Sequence, residues 1–188
     1  MWLHRGVMAD ALVGHSLGEY AAAIVSGVLC LRDGLHIVCE RGRLMQENVG
    51  CHGKMCALRC DAKHVLETVS KLQLDDVVSV AAINGARSVV VSGARDGVDL
   101  LLESDEFINV GHRELNVSHG FHSPIMRCML SDFEKAFDGI VFGKSTLPIM
   151  STVYECFAET RMQSIDYWLE HVVRSVNFAP AIDQLLSA

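Results

Sequence analysis

Ser16 lies in the stretch Val13-Gly14-His15-Ser16-Leu17-Gly18-Glu19-Tyr20, flanked by glycines in the pattern G-x-S-x-G. A serine on a tight turn between small residues can act as a nucleophile, because the turn exposes its oxygen and the small neighbours admit substrate. A helix starting at Leu17 would aim backbone N–H groups at the place where an oxyanion forms. Such a serine needs a base. Ser118-His119-Gly120-Phe121-His122-Ser123-Pro124 offers two, and spacing alone does not choose between His119 and His122. The bland alternative for Ser16 is a helix cap after a glycine turn.

Arg41 is the third residue of interest. On a helix, Leu35, Ile37, Val38, Cys39, Gly42, Leu44 and Met45 form one broad apolar arc, and Arg41 falls inside it. His36, Glu40 and Arg43 fall on the polar side. A buried guanidinium is costly unless paired, and its planar fork suits a carboxylate. It is either half of an internal ion pair or a receptor for an anionic substrate.

These residues must be positioned by elements that the sequence also marks. Asp10–Val13 reads as a short buried strand and Leu17 to about Gly27 as a helix, the context of a nucleophile elbow. Cys30 to Asn48 reads as a second helix, with Asp33 as its cap. Residues 54–117 change rhythm to β-α-β-β-α-β, with a last strand across 108–117. Helix 123–139, strand 147–153 and helix 166–173 follow, and 179–188 is again helical. The expectation is an α/β chain: residues 1–53 and 118–188 form one α/β-hydrolase-like subdomain, and 54–117 a ferredoxin-like insert. Its parallel sheet would lack strands at both ends, as if the chain were truncated at both termini.

The bulk numbers narrow the classes. The 188 residues are 50% hydrophobic and 21% charged, with a formal net charge of −7 and no basic run. That argues against a nucleic-acid surface. No apolar run is long enough for a membrane span, and the first residues contain no signal-peptide core. The seven cysteines are odd in number and include no C-x-x-C pair, which fits free thiols in a reducing, cytoplasmic setting. Cys51, His52, Cys56, Cys60 and His64 cluster, but at spacings foreign to structural zinc, and Cys56, Leu58 and Cys60 alternate as core residues. No metal or bound cofactor is expected.

Five segments in order resemble the malonyl-CoA:acyl carrier protein transacylase family, especially the acyltransferase domains of polyketide and fatty acid synthases. They are "GHSLGEYAAA", "RGRLMQ", "AAINGARSVVVSG", "SHGFHSPIM" and "STV" with "YWLEHVVRSVNFAPAI". Gly120 stands where the family usually has alanine. The resemblance implies Ser16 as nucleophile, His122 as its histidine, Arg41 as the malonyl carboxylate clamp and the Leu17 N–H as an oxyanion donor. It also implies that His119 and Phe121 lie in the segment tracking extender choice, here of malonyl type. The implied partners are malonyl-CoA, acyl carrier protein and other synthase domains such as a ketosynthase. The family's Gly-Gln-Gly segment and its C-terminal segment have no counterpart among these residues. The rival expectations are a serine esterase or thioesterase, and a partial, inactive domain that acts only in synthase assembly.

Overall fold

The computed structural model describes residues 3–188. Strand β1 (Leu12–Val13) runs into helix α1 (Gly18–Ser26), followed by helix α2 (Leu31–Glu47). The cap of α2 is Cys30, whose sulfur accepts from the Asp33 N–H at 3.4 Å. Asp33, expected as the cap, sits instead in the first turn, where its charge faces the positive end of the helix.

The next stretch alternates β2 (Lys54–Leu58), α3 (Ala62–Lys71), β3 (Val78–Gly85), β4 (Ser88–Gly93), α4 (Arg95–Glu103) and β5 (His112–Glu114). The sheet order is β3-β4-β2-β5 with every pairing antiparallel, the ferredoxin-like arrangement. Helices α3 and α4 cover one face, where Cys56, Leu58, Cys60, Val80 and Val91 pack with Val65, Val98 and Phe107. Each valine, leucine or phenylalanine among them contributes roughly 1.5–3 kcal/mol by leaving water. The other face presents Met55, Ala81, Ala82 and Val90 to Val176, Phe121 and Phe178 of the large subdomain.

Strand β5 is shorter than the sequence predicts. Before it, Phe107 is driven into the core on a turn closed by Phe107 N–H to Ser104 C=O at 2.9 Å. After it, the Val117 N–H bonds the Leu115 C=O at 2.8 Å and pulls the chain out of the ladder.

The expected helix over 123–139 is also broken, into a 3-10 segment (Pro124–Met129) and helix α5 (Leu130–Lys135). Met126 and Met129 are both fully buried, and a three-residue turn places them on one line. Strand β6 (Ile149–Met150) pairs in parallel with β1. The sequence predicts a strand to residue 153, but the Thr152 N–H leaves the ladder to bond the Glu19 carboxylate at 2.7 Å. Helices α6 (Ile165–Val173) and α7 (Phe178–Ser187) complete the chain. Tyr20, Ile37, Met126, Phe133, Ile149 and Trp168 lie in the large-subdomain core.

Candidate active site

Gly14 ends β1 with its Cα so close to the next turn that a Cβ there would lie 2.1 Å from the Gly18 carbonyl carbon. The turn therefore tightens, and Ser16 takes φ 50° in the left-handed region. That conformation costs a residue with a side chain of order 1–3 kcal/mol and persists only where its surroundings hold it. Two bonds hold it here: the Ser16 carbonyl accepts from the Glu19 N–H at 2.8 Å and from His171 Nε2 at 3.2 Å.

The Ser16 hydroxyl lies 2.6 Å from His122 Nε2. His122 Nδ1 lies 3.0 Å from the Arg174 carbonyl oxygen, which can only accept. Nδ1 must carry the hydrogen, so Nε2 presents its lone pair to the Ser16 O–H. His122 is buried and also sits at positive φ, 56°. Burial, and next the charge of Arg41, push its pKa down to about 3. The imidazole is neutral across physiological pH and free to take a proton.

Arg41 projects from α2 on the buried line of Gly34, Ile37 and Met45. The apolar arc drawn from sequence is broader than the real one, since Leu35, Cys39 and Gly42 face solvent. The Arg41 guanidinium stands 5.8 Å from the Tyr20 ring centre, and its buried Nε has no hydrogen-bond partner. Among the described residues it forms no ion pair.

Ser16, Arg41, Phe121 and His122 line one cleft of about 390 Å³ between the subdomains, with Met55, Val90 and Leu115 on its opposite wall. Leu17 adjoins it as the residue immediately before α1, in the N-cap position, and its N–H bonds nothing among the described residues. His119 is brought near but stands behind the wall. It stacks on Phe121 at 5.6 Å and meets the His52 ring at 5.1 Å. A serine hydroxyl on the lone pair of an oriented neutral imidazole, a free N–H at a helix terminus and an unpaired buried cation form an arrangement that can perform acyl transfer with a carboxylate-bearing substrate.

The acyl transferase domain family matches this sequence over residues 1–188. The chain belongs to that family.

This acyl transferase chain is 38% identical over 187 residues to the naringenin synthase of Pestalotiopsis fici, covering 96% of the chain and 7% of that protein. It is 40% identical over 184 residues to the phenolphthiocerol synthesis polyketide synthase Pks15/1 of Mycobacterium marinum, covering 96% and 8%. The acyltransferase domain of the second module of the salinomycin polyketide synthase superposes with a TM-score of 0.89 at 36% identity. That match covers 97% of this chain and 42% of the solved one. The malonyl-CoA:acyl carrier protein transacylase of Xanthomonas oryzae gives 0.88 at 29% identity, covering 99% and 60%. The acyl transferase chain thus spans only a part of these relatives.

Sequence reasoning missed the layer beneath Ser16. Glu19 is fully buried and accepts from the Thr152 N–H, the Thr152 hydroxyl and the Tyr167 hydroxyl. His171, also buried, lies 3.8 Å from Glu19, yet its Nε2 hydrogen is committed to the Ser16 carbonyl. Burial holds the His171 pKa well below its ordinary value and raises that of Glu19, so it works against charge on both members of the pair. Helical spacing could have found both: Glu19 is in line with Ala22, Ala23 and Ser26, and His171 with Tyr167 and Trp168.

Proposed function

We propose that the chain transfers a malonyl group from malonyl-CoA to the phosphopantetheine thiol of an acyl carrier protein through an ester on Ser16. The observation that carries this reading is Arg41, a buried guanidinium without an internal partner, on the wall of the cleft that holds Ser16 and His122. A free carboxylate two carbon–carbon bonds from a thioester carbonyl would complete it.

In the first half-reaction the Ser16 oxygen attacks the thioester carbon while its proton passes to His122 Nε2. The oxyanion faces the Leu17 N–H. The C–S bond then breaks, and the imidazolium returns the proton to the departing CoA thiolate. In the second half the carrier thiol repeats the sequence in reverse. Nδ1–H held on the Arg174 carbonyl keeps the ring aligned for both transfers. Phe121, backed by His119, narrows the cleft beside the α-carbon and favours an unsubstituted malonyl unit. The surrounding reaction is chain extension in polyketide or fatty acid synthesis, beside domains such as a ketosynthase. Seven free thiols suit a reducing, cytoplasmic setting.

The test is incubation with malonyl-CoA followed by intact-mass measurement. A malonyl adduct that vanishes in Ser16→Ala, and that holo carrier protein discharges, is the expected result. Discharge to water at the same rate without carrier protein would make the chain a thioesterase instead. No adduct on the folded chain would remove the enzymatic reading.

A further inference from the structure

The cleft-facing side of the small sheet does not end at the active site. Met55 and Ala57 alternate on that face of β2, and Arg59 is the next residue of the same parity. Ala57 pairs with Val90 on β4 and with Arg113 on β5, which places the Arg113 side chain on that face as well. The Arg59 side chain lies across Gly111, with Cδ 3.5 Å from where a Gly111 Cβ would be. Arg87 enters from the β3–β4 turn. Arg59, Arg87 and Arg113 thus line one concavity of about 810 Å³, and Ala57 in its lining pairs across the sheet with Val90 in the lining of the Ser16 cleft.

All three arginines are exposed, and none forms an ion pair among the described residues. No carboxylate lines the concavity. The nearest acidic strand residue, Glu114, pairs with Cys56 on the opposite face and is taken by Lys54 and Arg95. In a chain of net charge −7, three unneutralised guanidiniums around one hollow form a local anion site. From Met55, beside the nucleophile, to Arg59 is about 13 Å along the strand at ~3.3 Å per residue.

We propose that Arg59, Arg87 and Arg113 bind the phosphate at the far end of the pantetheine arm while its thioester end lies at Ser16. The proposal rests on the acyl-transfer reading above. The apolar strip of Met55, Ala57, Val90 and Leu115 carries the uncharged arm between the two ends. The phosphate is either the diphosphate of CoA or the phosphodiester of a carrier-bound arm, and the two share the same chemistry.

The test compares Arg59→Ser/Arg87→Ser/Arg113→Ser with the full wild-type chain, with circular dichroism checking the fold and the triple lysine variant restoring the charge. Ser16 labelling from sub-saturating malonyl-CoA falls roughly tenfold or more and loses its salt dependence, while labelling from malonyl-pantetheine, which has no phosphate, is unchanged. Discharge of preformed malonyl-Ser16 to holo carrier protein and to free pantetheine forms the second arm. A loss confined to loading assigns the CoA diphosphate, and one confined to discharge assigns the carrier phosphodiester. Unchanged rates in both arms, or equal losses with and without phosphate, overturn the proposal. Calorimetric binding of CoA separates the two readings. If the wild type accepts no acyl group but binds CoA in an arginine-dependent manner, the transfer reading falls and the phosphate site stands.

Discussion

His122 Nε2 meets Ser16 Oγ at 2.6 Å with both residues in left-handed backbone, at φ 56° and 50°. Neither is glycine, so each end of this hydrogen bond is held in a conformation that its side chain opposes. Side-chain chemistry and backbone comfort are in conflict at Ser16. Ser16→Gly and Ser16→Ala should both abolish acyl-enzyme formation, but the glycine variant should be the more stable by ~1 kcal/mol, because only glycine takes φ 50° freely. Urea midpoints of the two variants check this.

Arg41 should act on one class of substrate. Arg41→Ala should slow Ser16 labelling from malonyl-CoA by roughly a hundredfold, near 2.7 kcal/mol, because a charge-assisted bidentate contact is lost. Labelling from acetyl-CoA, which offers no carboxylate, should change little. Equal losses on both would assign Arg41 to the fold.

Arg41 also lowers the pKa of His122, after burial. The acid limb of acetyl transfer in the wild type should therefore lie well below 6.5, the ordinary imidazole value. Removing the cation in Arg41→Ala should move that limb upward. A pH profile of labelling rate, with acetyl-CoA as donor, gives the sign directly.

Folding stability should fall in mild acid. His122 and His171 are held neutral by burial, with folded pKa values depressed from 6.5. Above pH 6.5 the folded and unfolded chains bind the same protons at these sites. As pH falls below 6.5 the unfolded chain takes up protons that the folded chain refuses, costing up to ~1.4 kcal/mol per pH unit for each ring. Glu19, raised by burial, works in the opposite direction above its ordinary value of 4.5, but it is one group against two. Urea midpoints at pH 7 and pH 5 should differ, with pH 5 lower.

Glu19 should matter for stability more than its distance from substrate implies. Glu19→Ala leaves the Thr152 N–H and two hydroxyls without an acceptor in a buried site, a cost of ~3 kcal/mol. Glu19→Gln keeps one carbonyl acceptor and should cost clearly less. Chemical denaturation of both variants decides the order.

What was legible in the sequence followed periodicity. Arg41 stood out because a charge interrupted an apolar helical line, and the structure buries it on that line. The same test applied to α1 and α6 would have raised Glu19 and His171. The Arg174 carbonyl, by contrast, has no sequence signal, since any residue supplies one. Strand lengths were overread for a related reason: alternation marks where a strand is possible, whereas Phe107 and Glu19 decided where the ladders of β5 and β6 stop.

The segment after α6 ties the two subdomains together at His122. The Arg174 carbonyl orients His122, the Ser175 hydroxyl bonds the Val80 carbonyl, and Val176 exchanges backbone bonds with Ala81 and Ile83 of β3. From the same strand the Ser79 hydroxyl grips the His122 carbonyl at 2.9 Å. His122 is therefore bolted to the small subdomain's sheet, whereas Ser16 is carried by the β1–α1 turn of the large subdomain. Their hydrogen bond is a gauge of the angle between the two bodies, read alongside the His15 Nε2–Asn84 Oδ1 bond at 2.8 Å that crosses the same junction.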